Sequence, residues 1–286
     1  MVKNKGDRAF DLLVTISLIL VGVLSVFPLL FVVAVSLTPI EEVLKNGGFV
    51  LIPEAINFDA YTHLLSQPKI PKSFMVTIFI TVVGTIINLI LTTLMAYPLS
   101  RKNLPGRNIF IFLVVFTLLF NGGIVPTYLI VKATGLLNSV WAMIIPNAIW
   151  SFNVLIMKSF FENLPEDIFE AARIDGAGEF RILGQIVLAL SKPVMITIGL
   201  FYVVGHWNEF FQAVMYITDP ALNPLQVVVR DILVQNQDQI ENVDAVIPTA
   251  TIQMAAVIIA SLPIIVIYPF VQKHLTKGML LGSIKG

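Results

Sequence analysis

Apolar residues fall along this chain in runs too long for the interior of a soluble domain. Six such stretches, at about 12–37, 74–100, 109–131, 140–160, 193–216 and 245–271, are each near or above the length a helix needs to cross a bilayer, roughly 20 mostly apolar residues. The pattern predicts an all-α, polytopic membrane protein with six transmembrane helices. Residues 1–73 form an N-terminal segment, a first helix and an outer loop. Residues 74–271 form the core, and 272–286 a C-terminal tail. The first run follows Lys3, Lys5 and Arg8, as a secretory leader would. A leader's apolar region is only about 7–15 residues long, so this longer run is expected to remain as a span.

The polar positions between runs set the orientation, because cytoplasmic loops are enriched in Lys and Arg. The N-terminus carries Lys3, Lys5 and Arg8, the second loop Arg101, Lys102 and Arg107, and the tail Lys273, Lys277 and Lys285. The loop after the fifth run is opposite in sign, with Asp219, Asp231, Asp238, Glu241 and Asp244 against Arg230. Six spans with both ends in the cytoplasm satisfy all four. Composition agrees with the class: 57% hydrophobic, 13% charged and 20 Phe, with a mean hydropathy of +0.88. A net charge of zero offers no basic footprint for nucleic acid. With no cysteine there is no disulfide or thiol chemistry.

Between the fourth and fifth runs one stretch stands apart, "EAARIDGAGEF" over 170–180, with four charged residues among small ones. It reads as the end of a short helix. Pro165 suits a first helical position, Glu166 and Asp167 favour the positive dipole end, and Gly176 is a natural stop. At about 100° per residue, Ile168, Phe169, Ala171 and Ala172 share one side, opposite Glu166, Asp167, Glu170 and Arg173. Ile174 falls on the charged side and Asp175 on the apolar one. The pattern alone is compatible with an amphipathic connector on the bilayer surface. It is also compatible with a docking knob, since paired alanines allow close approach.

The spacing carries a resemblance. Glu170-Ala171-Ala172, three residues, Gly176, nine residues, Ile186, one residue and Leu188 is similar to the EAA loop of ATP-binding-cassette import permeases, here at 165–188. Ala189 stands where the family usually has Pro, and Pro193 follows to supply the helix break. "EAARIDGAG", "GGIVPTYLIVKATGLLNSVWAMIIP" (122–146) and the ending "KGMLLGSIKG" resemble the second permease of oligosaccharide importers of the maltose type. The resemblance implies a coupling helix that docks on a cytoplasmic ATPase, through Glu170, Ala171, Ala172, Asp175 and Gly176. It implies a heterodimer with a second permease, two ATPase subunits, an extracytoplasmic solute-binding protein and a bacterial cytoplasmic membrane. ATP and Mg belong to the ATPase subunits, and no cofactor is expected on this chain.

No chemistry of an enzyme is legible here. There is no G-x-x-x-x-G-K-[ST] loop, "GAGEFR" lacks the third Gly of a dinucleotide fingerprint, and His63, His206 and His274 form no H-E-x-x-H. Two runs carry polar stripes. Thr77, Thr81, Thr85, Asn88 and Thr92 suit helix–helix packing. Tyr202, Gly205, Asn208, Glu209, Gln212 and Tyr216 recur at helical spacing, and Glu209 lies about 24 Å past Pro193 along a straight helix. Tyr202, Trp207, Asn208, Glu209, Gln212 and, more weakly, Asn153 are the candidates for a substrate pathway, since sugar hydroxyls need polar partners and sugar faces stack on aromatics. Helix packing is the competing reading of that second stripe. Pro263 is expected to mark a kink in the last span.

The loop at 217–244 is long for a connector. Its "LQVVVRDILVQ" is apolar enough to form a packed element. The resemblance assigns it to binding-protein docking, with Asn236, Asp238 and Glu241 as candidates. The same resemblance sends the tail to the ATPase dimer, whereas its lysines alone would make a membrane-proximal anchor. The sequence thus points to a permease subunit for an oligosaccharide. The alternative is an ion-coupled secondary transporter acting alone, which would want mid-membrane ionisable relays.

Overall fold

The computed structural model of the chain describes residues 5–238 and 250–283, and among these the regular structure is helical, with no strand. In chain order the helices that matter are α1 (Lys5–Ser36), α2 (Lys69–Ser100), α3 (Arg107–Leu119), α4 (Ile124–Ala133) and α5 (Ser151–Glu162). They are followed by α6 (Glu166–Ile174), α7 (Lys192–Trp207), α8 (Phe211–Tyr216), α9 (Leu225–Asp238) and α10 (Ala250–Ser283). The chain divides into two compact units, one of Met1–Ile70 and Val229–Leu262, the other of Pro71–Val228 and Pro263–Gly286.

Three of the expected runs are continuous helices long and apolar enough to cross a membrane: Phe10–Ser36, Lys69–Ser100 and Ala250–Pro269. The other three are broken. The 109–131 run bends by 114° between α3 and α4. Asn121-Gly122-Gly123 explains this: Gly123 sits at φ +88°, and its N–H donates to Asn121 Oδ1 at 2.8 Å. The 140–160 run enters as 3-10 turns and bends by 51° before α5. The 193–216 run ends its first helix at Trp207 and resumes at Phe211. With 13 residues in α3 and 16 in α7, neither alone reaches the hydrocarbon thickness of about 30 Å, at roughly 1.5 Å per residue. α10 runs through Pro263 and Pro269 and on to Ser283, so the segment expected as a tail from 272 is helical up to that point.

In the first unit, Val35, Val43 and Val50 pack with Phe31, Ile40, Ala250 and Met254. Tyr61 Oη hydrogen-bonds Ser36 Oγ at 2.7 Å, and Lys69 pairs with Asp231 at 3.4 Å. From Phe10 to Leu30, α1 is exposed and mostly apolar, a surface suited to lipid or to another membrane helix.

The second unit is organised around α2 and α7. All five members of the Thr77–Thr92 stripe are buried, as the packing reading requires. Thr92 Oγ1 meets Tyr202 Oη at 2.6 Å, the Asn88 carboxamide meets His206 Nε2 at 3.0 Å, and Thr77 Oγ1 accepts the N–H of Leu225 at 2.8 Å. Tyr202 Oη also accepts the N–H of Trp150 at 3.2 Å. Small residues permit this approach. A Cβ at Gly84 would lie 2.5 Å from His206 Nε2, and one at Gly205 2.5 Å from Trp150 Cη2. Below the seam a core joins Tyr97 and Leu99 of α2, Met157 and Phe161 of α5, Phe169 of α6 and Ile182.

Gly84→Ala is expected to destabilise the detergent-solubilised protein by about 1–3 kcal/mol, the usual cost of overpacking. Gly199→Ala, whose new Cβ would find its nearest neighbour at 3.4 Å in a Leu89 methyl, should be close to neutral. Thermal unfolding of the two variants side by side checks the contrast; equal behaviour would refute the close-approach explanation.

Candidate functional site

α6 forms because its ends are well set. Pro165, at ψ 127°, stands just before the helix rather than at its first turn, a one-residue correction to the expectation. Glu166 and Asp167 occupy the first turn and Arg173 the last. At the C-terminus, Gly176 N–H donates to Arg173 O at 3.0 Å and Ala177 N–H to Ala172 O at 2.9 Å, with Gly176 at φ +76°. This pair of bonds is the Schellman stop, which needs a left-handed residue at that point. Gly176 is therefore required by backbone geometry, and Asp175 is the residue that leads into the turn.

The expected apolar face divides in two. Phe169, 1% exposed, and Ala172 face the core one helical turn apart. Ile168 and Ala171 are exposed, as are Glu170, Asp175 and Gly176. Ile174 and Phe180 are each 86% exposed. α6 is thus anchored by one stripe and leaves apolar and small residues free on its other sides.

The anchor is made by the C-terminal end of α2. The guanidinium of Arg101 lies 3.7 Å from the ring centroid of Phe169 and 4.6 Å from that of Tyr97. Tyr97 Oη donates to Glu179 Oε2 at 2.5 Å, Arg173 Nε donates to Glu179 Oε1 at 3.2 Å, and Arg173 also faces Glu166 at 3.8 Å. Arg107 adds a second tie, through Leu99 O at 2.9 Å and through Glu162, which Lys158 also holds at 2.8 Å. These groups surround a cavity of about 1210 Å³, with Tyr97, Arg101, Glu162, Arg173, Glu179 and Phe180 in its wall. Glu179 stands in the charged connecting segment outside the apolar runs. The Tyr97 hydroxyl first, and Arg173 after it, hold its carboxyl below the ordinary carboxylate range, against the opposing effect of desolvation.

Beyond Glu179 the chain makes a π-helical turn at Ile182–Val187, then bends by 84° across Ser191 into α7, with Pro193 in its first turn. The break expected from Pro193, despite Ala189, is present. π-turns concentrate at functional sites.

The candidate pathway residues are placed in three settings. Tyr202, Trp207 and Asn153 are buried, Tyr202 in the α2–α7 seam and Trp207 edge-on to Phe74 at 5.8 Å. Asn208 is exposed and donates back to Val204 O at 2.8 Å. Glu209 and Gln212 are half-buried at the break, where Glu209 Oε1 accepts the N–H of Gln212 at 3.0 Å. The expected continuous stripe is therefore broken after Trp207, where α7 ends, and Glu209 stands before α8 instead of extending the old helix. In the 217–244 loop, the expected packed element is α9, with Leu225, Val227, Val228 and Val229 buried. Asn138, at φ +57°, steadies the entry by accepting the N–H groups of Thr218 and Asp219 at 3.1 and 2.8 Å. Asn236 and Asp238 fall in the last turn of α9, and Glu241 lies outside the described residues.

Tyr97, Arg101 and Glu179 were not legible as partners of α6. Arg101 counted only as a loop charge, although Tyr97 and Arg101 at i, i+4 on the end of an apolar run were a signal available in the sequence.

A family model described as the binding-protein-dependent transport system inner membrane component matches residues 94–281, which include α6 and its anchor. Protein LplC of Bacillus subtilis (strain 168) is 45% identical over 292 residues, covering 100% of this chain and 98% of its own length. The polygalacturonan/rhamnogalacturonan transport system permease protein YtcP of the same organism is 44% identical, covering 98% and 99%. Among solved structures, a chain of a bacterial ABC transporter involved in the import of the acidic polysaccharide alginate matches with a TM-score of 0.89 at 30% identity, over 96% of this chain and 99% of that one.

Tyr97→Phe removes the largest influence that lowers the Glu179 carboxyl, so its pKa should rise. A group depressed in the folded state contributes stability above its unfolded pKa and loses it as pH falls through the folded value. Tyr97→Phe should therefore shrink the stability lost on acidification that belongs to Glu179. A carboxyl-carbon NMR titration of Glu179 checks this, and an unshifted titration in the variant would contradict the assignment.

Proposed function

The chain belongs to the family of binding-protein-dependent transport system inner membrane components, the permeases of ATP-binding-cassette importers, and from that premise we propose that it is one half of the pore of an oligosaccharide importer. It spans a bacterial cytoplasmic membrane six times with both ends inside, each of the six apolar runs, broken or continuous, serving as one span. It forms a heterodimer with a second permease and works by alternating access. Two ATPase subunits carry ATP and Mg, and an extracytoplasmic binding protein delivers the sugar.

The observation that carries this reading is the build of α6. A short helix, ended by a Schellman stop, is tied to the ends of α2 and α5 by one stripe and presents Ile168, Glu170, Ala171 and Ile174 outward. Such a helix is a rigid knob that an ATPase cleft can move. A transmitted change requires contacts that differ between two states, and the outward face supplies the contacts. Glu170, Ala171 and Ala172, with Asp175 and Gly176 at the exit, form the coupling element. Asn208, Glu209 and Gln212, at the break between α7 and α8, are the pathway candidates most open to a sugar. Tyr202, Trp207 and Asn153 support them from within. The C-terminal tail, whose first part continues α10 to Ser283, is proposed to reach the ATPase pair.

The complex reconstituted in proteoliposomes with its ATPases and binding protein is expected to take up oligosaccharide only when ATP is inside. Oligogalacturonide, alginate oligosaccharide and a neutral malto-oligosaccharide, tried in turn, separate acidic from neutral cargo. Glu170→Arg and Gly176→Pro should abolish uptake while leaving the chain in the membrane. Normal uptake by both variants would remove the coupling role, and uptake driven by an ion gradient without ATPase would favour a secondary transporter.

The 217–244 loop is proposed as the docking element for the binding protein, with Asn236, Asp238 and Glu241 at the contact. The pinned entry at Asn138 and the buried side of α9 support a presented, shaped surface. Replacing residues 236–242 by a Gly/Ser linker should raise the half-maximal concentration of binding protein needed to stimulate ATP hydrolysis, by about tenfold if one or two good contacts are lost. An unchanged stimulation curve would exclude the segment.

A further inference from the structure

Movement of α6 is useful only if something conveys it to the helices that line the pore. Its covalent connections are poor levers. Upstream it joins α5 through residues 163–165, and downstream it leaves through Gly176-Ala177-Gly178, with Gly176 in the left-handed region. Two glycines within three residues make a compliant link. Neither connection leads to α2.

The non-covalent connection does. Arg101, the residue after α2, is layered between the ring of Tyr97, which belongs to α2, and the ring of Phe169, which belongs to α6. Nε and Nη2 of Arg101 are buried and have no hydrogen-bond partner. A guanidinium has five donors and normally satisfies them when buried, so this one is held by aromatic faces at the expense of its hydrogen bonds. The planar cation suits that role, because it stacks on rings in a way a lysine ammonium does not. Tyr97 completes the tie from the other side through Glu179 to Arg173 of α6. Above this point α2 is fastened to α7 by Thr92–Tyr202 and Asn88–His206.

We propose that Arg101 and Tyr97 are positioning residues that clamp α6 to the end of α2, so that displacement of α6 by an ATPase subunit moves the α2–α7 pair as one body. This deepens the coupling reading above and rests on it. The clamp acts between elements that the compliant Gly176–Gly178 link would otherwise let drift apart.

The test uses the complete importer in proteoliposomes. The chain has no cysteine, so Ile90→Cys on α2 and Asp167→Cys on α6, both exposed, give a spin-label pair once any cysteines of the partner subunits have been replaced by serine. With Arg101 present, one narrow distance distribution is expected, the same with and without trapped ATP. In Arg101→Ala the distribution should broaden and become nucleotide-dependent, and sugar transported per ATP hydrolysed should fall by about tenfold, a typical coupling factor. Arg101→Lys keeps the charge without the flat face and should fall between. It also serves as the deciding variant if Arg101→Ala fails to co-purify with its partners. An unchanged distance distribution or an unchanged transport ratio in these variants would overturn the clamp. If the unmutated complex showed no ATP-dependent uptake, the transport reading itself would fall, and the clamp with it.

Discussion

Holding helices together in a bilayer is the constraint on which the rest of this structure depends. Lipid tails are as apolar as Leu, so burying apolar surface gains little for one membrane helix against another. Close packing and buried hydrogen bonds must supply the attraction. The α2–α7 seam meets the requirement with Thr92–Tyr202, Asn88–His206 and the contact of His206 on Gly84. Thr92 and Asn88 of α2 find their partners on α7, and the rings of His206 and Trp150 lie against Gly84 and Gly205. The same seam borrows the backbone N–H of Trp150 and so carries the start of α5 with it.

From this seam the layout around α6 follows. α2 ends at Ser100, and its last turns supply Tyr97, Leu99 and the adjoining Arg101 as the floor on which α6 sits. α6 contributes little apolar surface, since Phe169 and Ala172 are its only buried residues. Its position therefore rests on directional contacts: an aromatic ring against a cation, a tyrosine hydroxyl on a carboxylate, and an arginine on the same carboxylate. Such contacts fix orientation as well as distance, so a short helix with little buried surface is still held in one pose. The Schellman stop at Gly176 fixes where α6 ends, and the π-turn and bend that follow redirect the chain into α7.

The breaks in the apolar runs have a related logic. A helix interrupted inside hydrocarbon leaves backbone donors and acceptors unpaired, which is tolerated only where protein or water meets them. At Asn121-Gly122-Gly123 a side-chain carboxamide takes one orphan N–H, and at Glu209 a carboxylate takes another. A polar group at each break is thus explained by the backbone before any ligand is invoked.

Class and much of the layout were legible in the sequence. Six apolar runs, the sign of the loop charges, a short helix ending at Gly176, the buried threonine stripe and a packed element at Leu225 all depend on local composition and period, which neighbours in sequence determine. Tertiary structure alone decided which three runs stay continuous, because a pair of glycines or a polar residue is compatible with either a helix or a break until the surroundings satisfy the backbone. It also decided which side of α6 is buried. Ile168, Phe169, Ala171 and Ala172 are near equivalents by helical period, and the core of Tyr97, Leu99, Met157, Phe161 and Ile182, with Arg101 stacked from sixty-eight positions away in sequence, selects Phe169. Long-range partners of that kind leave no periodic trace, so the anchor of α6 had to be seen in three dimensions.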